Sequence, residues 1–99
     1  MLTLNLEKQW FEKIKAGQKT HEYRDVKPYF ASRLEKLKPG DQFILRWGYK
    51  ADSEREVLAE FVRLSVVEDG MTTDLKHNNP VYDIEFVLIK QERVNGASK

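Results

Sequence analysis

Residues 57–67, Val-Leu-Ala-Glu-Phe-Val-Arg-Leu-Ser-Val-Val, constrain the fold more than any other stretch of this chain. Alternation puts Val57, Ala59 and Phe61 on one side of a strand, yet Leu58, Val62 and Leu64 on the other side are apolar as well. A strand of that length with two apolar faces is poorly served by a flat sheet that leaves one face in water. The pattern therefore predicts a bulge or strong coiling, as small barrels require.

The neighbouring segments supply the rest of such a sheet. Leu2, Leu4 and Leu6 alternate with Thr3 and Asn5, the mark of a short strand with one buried face. Trp10, Phe11 and Ile14 then recur on one stripe of residues 7–16. This predicts an amphipathic helix of under three turns, too short to be stable alone and so docked on the sheet, with Trp10 in the core. Gly17 suits the left-handed turn that ends a helix, and residues 20–26 read as a second strand. Pro28 opens a second helix carrying Phe30, Leu34 and Leu37, and Lys38-Pro39-Gly40-Asp41 stops it. Residues 42–47 form a strand with Phe43, Leu45 and Trp47 on one side, and residues 50–55 an exposed connection. Residues 68–80, anchored by Met71 and Leu75, read as a loop before a last strand over 81–89.

About five strands and two short helices, both helices within the first forty residues, predict an α+β domain built round a small, partly open barrel. A doubly wound parallel sheet is disfavoured, because helices do not alternate with the later strands. Residues 1–90 are expected as one domain and residues 91–99 as a polar tail.

Composition narrows the function classes. Eleven aromatic residues and 40% apolar content argue for a packed globule. No apolar run reaches the length of a membrane span and no signal-peptide layout is present, so a cytoplasmic location and no membrane partner are expected. The absence of cysteine removes disulfides, thiolate nucleophiles and cysteine zinc sites. His21 and His77 have no carboxylate at ligand spacing, so neither a metal nor a cofactor is expected. The net charge of +1 hides an asymmetry: residues 1–50 hold eleven Lys/Arg against six Asp/Glu, and residues 51–99 six against ten. A basic first half suits an anionic ligand such as a nucleotide or RNA backbone, although charge runs commonly serve only to solvate a face.

The chemistry concentrates in residues 17–24, Gly-Gln-Lys-Thr-His-Glu-Tyr-Arg, where helix turns into strand. Ionisable groups at a strand start are costly unless they face water or one another. Thr20, Glu22 and Arg24 share one strand face and His21 and Tyr23 the other, with Glu22 and Arg24 about 7 Å apart along the strand. Lys19 sits at the strand entrance, where its long stem can swing to a barrel mouth. Glu22 can accept an N–H from a nucleobase while Arg24 or Lys19 holds carbonyl or phosphate oxygens. The alternative is a Glu22–Arg24 ion pair that satisfies only itself. Trp47 and Tyr49, flanking Gly48, offer faces for base stacking, though a tryptophan in so small a barrel is more often core.

These residues, with Leu4 and Leu6, the stripe Trp10, Phe11 and Ile14, the turn at Pro39-Gly40-Asp41 and the closing strand, resemble the ASCH family over roughly residues 2–90. The resemblance implies a PUA-like β-barrel whose cleft, between the first helix and the barrel mouth, takes RNA or a nucleoside-like ligand. It places the family's motif lysine, glutamate and arginine on Lys19, Glu22 and Arg24. One hydrolytic branch acts on N4-acylated cytidines with a lysine, a threonine three residues later and a distant glutamate. Lys19 matches the first; Glu22 occupies the threonine's place, with Thr20 nearby, and the segment before the last strand offers Asp74. Binding of RNA or a nucleotide-like ligand by a monomer, through Lys19, Thr20, Glu22, Arg24, Trp47 and Tyr49, is the expected function. An amidohydrolase using Lys19, Glu22 and Thr20 is the alternative, a ribonuclease a lesser one, and a protein-interaction module a further one.

Overall fold

Seven strands and α-helices, with two short 3-10 turns between some of them, appear in the computed structural model, which describes residues 1–89. In chain order they are β1 (Thr3–Leu6), α1 (Lys8–Lys15), β2 (His21–Asp25), α2 (Pro28–Leu34), β3 (Gln42–Trp47), β4 (Glu56–Val67) and β5 (Val81–Leu88). The tail expected over 91–99 lies outside the described residues. The strands form one sheet in the order β1-β3-β4-β5-β2, parallel between β1 and β3 and antiparallel elsewhere. This is the expected α+β architecture, a sheet curled into a half-barrel with two helices.

The curl has a cause in β4. Ala59 and Phe61 pair with Leu88 and Phe86, but the register then slips, so that Arg63 faces Glu85 and Leu64 faces Ile84. Val62 is the extra residue of a bulge. It resets the parity, so Ala59, Phe61 and Leu64 all serve the core although 61 and 64 are an odd number apart. The bulge thus brings Leu64 to the side of Ala59 and Phe61, while Leu58 stays on the opposite face, half-buried and paired with Ile44.

Local signals set the helix ends. After α1, Gly17 at φ +79° lets its N–H bond the Ile14 carbonyl while the Gln18 N–H bonds that of Lys13, a Schellman closure. Helix α2 starts at Pro28 and buries Leu34 completely, with Phe30 and Leu37 packed beside it. The turn at Gly40 is stitched to β4 through Gly40 N–H to Phe61 O and Phe61 N–H to Asp41 O.

Phe11 and Ile14 join Leu4, Leu6, Phe43, Leu45, Phe61, Ile84 and Phe86 in the core, where Phe43 and Phe86 meet edge to face at 6.0 Å. Trp10 departs from expectation. Its stripe position carries it to the margin of the helix–sheet contact, where it is only half-buried and lines a cleft. Residues 68–80, expected as plain loop, contain a 3-10 turn, Gly70–Thr72, whose start is capped by Asp69 Oδ1. The sheet's two end strands are linked by a side chain, because Arg24 Nη2 on β2 donates to the Asn5 carbonyl of β1 at 2.8 Å.

Candidate functional site

The helix-to-strand motif opens onto a cleft of about 300 Å³ lined by Trp10 and Lys13 of α1, Gln18, Lys19, Thr20, His21 and Tyr23, and Asp74. Lys19 is its central cation. Its side chain is only 8% exposed, pairs with Asp74 and lies 3.5 Å from Glu22 Oε1. The ammonium is also 5.4 Å from the Trp10 ring centroid and 5.0 Å from that of Tyr23, within cation–π range of both. A lysine expected to swing at a rim is therefore held in place by two carboxylates and two rings.

Asp74 reaches Lys19 because its own segment is fixed. Thr73, buried next to it, donates Oγ1–H to the Gly70 carbonyl at 2.7 Å and accepts the Leu75 N–H. Gly70 is buried where no side chain fits, since a Cβ would stand 2.5 Å from the His77 carbonyl oxygen and 2.6 Å from that of Asn79. Those contacts let the segment pack back on itself and present Asp74 to the cleft.

Glu22 stands behind the cleft rather than in it. Its Oε2 accepts from Arg24 Nη2 at 2.7 Å and Nε at 3.1 Å, while Oε1 faces Lys19. With side chains 9% and 16% exposed, Glu22 and Arg24 form the self-satisfying pair that the sequence allowed, but a largely buried one. Both carboxylate oxygens are thus engaged within the fold, and Arg24 points away from Lys19 toward the Asn5 carbonyl.

The cleft instead uses the face with His21 and Tyr23. His21 Nδ1 lies 2.7 Å from Asp83 Oδ1 on the neighbouring strand, a contact that orients the ring. Burial, then the charges of Asp83, Asp74 and Glu22, push the Tyr23 phenol above its usual pKa, so it remains an O–H donor at neutral pH. Thr20 lines the same cleft. Trp47 and Tyr49 do not. Trp47 packs at the core margin with Arg55 4.0 Å and Lys8 5.1 Å from its ring, and Tyr49 stands 86% exposed beside a different hollow that Arg24 also lines.

Trp10, Lys13, Gln18, His21, Tyr23 and Asp74 are the cleft groups outside the ligand set that the motif predicts. The signal for Trp10 and Lys13 was their i, i+3 spacing on one helix face. Among the described residues, no three His, Asp or Glu gather as metal ligands, and no helix is long and apolar enough to cross a membrane.

No protein-family model matches the chain, and no curated protein does. Among solved structures, the crystal structure of hypothetical protein PH0355 is similar at 17% identity, with a TM-score of 0.59 over 89% of this chain and 98% of that one. At that identity the likeness shows a shared fold: a curled five-stranded sheet with two helices.

Proposed function

We propose that the chain is an ASCH-type binding domain whose cleft takes a single nucleoside unit, free or as one base of an RNA strand. The observation that carries this is the Lys19 ammonium, set between the Trp10 and Tyr23 rings and facing Asp74 in a cleft of about 300 Å³. The ammonium suits a base carbonyl, Asp74 accepts from an exocyclic amino group, and the rings offer stacking faces. The volume lies at the small end of ligand sites, which favours one base over a duplex. Near-neutral total charge fits the same choice.

Titration of cytidine, uridine and adenosine, followed by Trp10 fluorescence and amide shifts, tests the reading. At least one should move the amides of residues 18–23 and Asp74, and Lys19→Met should weaken its binding by about tenfold, the loss of one charge-assisted contact. No shift with any of the three refutes it.

One observation favours a second reading, an amidohydrolase of N4-acylated cytidine-type nucleosides: Lys19 meets Asp74 beside Thr20 in one cleft. In that reading the Thr20 hydroxyl attacks the acyl carbonyl, and Lys19 with Asp74, not the engaged Glu22, passes its proton to N4 as the acyl C–N4 bond breaks; cytidine leaves, and water hydrolyses the Thr20 ester to free the acid. Incubation with N4-acetylcytidine should release cytidine; its absence by chromatography rejects the activity.

A further inference from the structure

A second hollow, of about 220 Å³, opens where β1 and β2 meet α2, and its lining shares no residue with the Lys19 cleft. Its chemistry is that of an anion site. Arg24 and Arg33 line it together with Asn5, Tyr29 and Tyr49, and no carboxylate does among the described residues. Glu22 neutralises Arg24 through Nε and Nη2, which leaves Nη1 without a partner among the described residues. Arg33 has no carboxylate partner there at all. It is nonetheless held in place, with its guanidinium carbon 3.7 Å from the Tyr29 ring centroid and Nη1 donating to the Tyr29 carbonyl at 2.8 Å. An ordered, uncompensated guanidinium with spare donors is suited to phosphate oxygens.

The hollow also has an unmet acceptor. Asn5 lines the hollow, and its Oδ1 has no hydrogen-bond partner among the described residues; the atom itself is shielded, so it meets a donor only when the side chain turns toward the hollow. At the rim stands Tyr49, 86% exposed. The three unmet groups ask for an anion, a hydroxyl or amino hydrogen, and a planar ring.

We propose that this hollow is a second binding site, for a nucleotide: Arg24 and Arg33 take the phosphate, Asn5 accepts from the sugar, and the base lies on Tyr49. The small volume accommodates phosphate and sugar and leaves the base at the open rim. The site stands apart from the Lys19 cleft and does not require it, although Glu22 lies between them and touches a cation of each.

The isotope-labelled 99-residue chain, titrated with inorganic phosphate, cytidine and cytidine 5′-monophosphate, tests the assignment. Phosphate and the monophosphate should shift the amides of Arg24, Tyr29, Arg33 and Tyr49, and the monophosphate should bind there at least tenfold more tightly than phosphate. Arg33→Gln and Tyr49→Ala alter exposed side chains. The first should weaken the monophosphate at the hollow about tenfold; the second should remove its advantage over phosphate. Hollow amides that ignore both phosphates, or an Arg33→Gln variant that binds the monophosphate like the parent, overturn the proposal. Inorganic phosphate reports on the hollow and cytidine shifts at residues 18–23 and Asp74 report on the cleft, so failure of one site is distinguishable from failure of the other. A short oligoribonucleotide identifies the source: tighter binding than the monophosphate means a strand, equal binding a free nucleotide.

Discussion

Replacing Glu22 with alanine removes the anion that two cations share. Exposed ion pairs contribute about 0–1 kcal/mol, whereas breaking a buried pair from one side costs about 3–5 kcal/mol. Here the side chains of Lys19, Glu22 and Arg24 are 8%, 9% and 16% exposed, which places the cluster near the buried limit. Each stranded cation keeps one other partner, Asp74 for Lys19 and the Asn5 carbonyl for Arg24, which reduces the loss. The expected destabilisation is about 2–3 kcal/mol, between the two limits. For a domain of 99 residues that is a drop in Tm of roughly 10–20 °C. Urea and thermal unfolding followed by circular dichroism measure it. A double-mutant cycle with Arg24→Gln should give a Glu22–Arg24 coupling of about 1–2 kcal/mol. Because the pair is shielded from solvent, that coupling should persist in high salt. A loss below about 0.5 kcal/mol, or a coupling abolished by salt, means that the pair behaves as a surface contact and refutes the reasoning.

Gly70→Ala places a methyl group 2.5 and 2.6 Å from two backbone carbonyl oxygens, so the 70–79 segment must move. A cost of about 1–3 kcal/mol in urea unfolding is expected, with weaker nucleoside binding as Asp74 shifts; unchanged stability would show that the segment yields freely. Asp25 has its pKa lowered from 3.8, first by the hydrogen bond with His77. Its contribution is therefore present above the unfolded value and is lost as pH falls through the lower folded one. Asp25→Asn should flatten the acid limb of stability below about pH 4, measured by urea midpoints at stepped pH; an unchanged limb counts against the His77 bond.

Periodicity located most of the fold. The alternation of Phe43, Leu45 and Trp47 placed β3 at Gln42–Trp47, the bounds that are observed. The apolar run on both faces of residues 57–67 announced the bulge now seen at Val62. Trp10 was misread because a helical stripe gives an angle and not a depth: α1 is short, and its margin overlooks the cleft. Strand parity correctly put Glu22 and Arg24 on one face. It did not reveal that this face would be occupied by the pair itself, leaving the cleft to His21 and Tyr23. The meeting of Lys19 with Asp74 spans 55 residues of sequence, a separation that no local pattern encodes. Only the family resemblance directed attention to that segment.

The sheet order carries a consequence for how the site comes into being. β2, which bears most of the motif, stands at the end of the sheet and, among the described residues, pairs with β5 alone. During synthesis residues 21–25 emerge well before their strand partner, residues 81–88. Loop closure of that length is slow to be rewarded, so the cluster of Lys19, Glu22 and Arg24 stays solvated until residues 81–88 have been made. The Lys19 cleft is therefore complete only once β5 has docked against β2, and a formed cleft reports that docking.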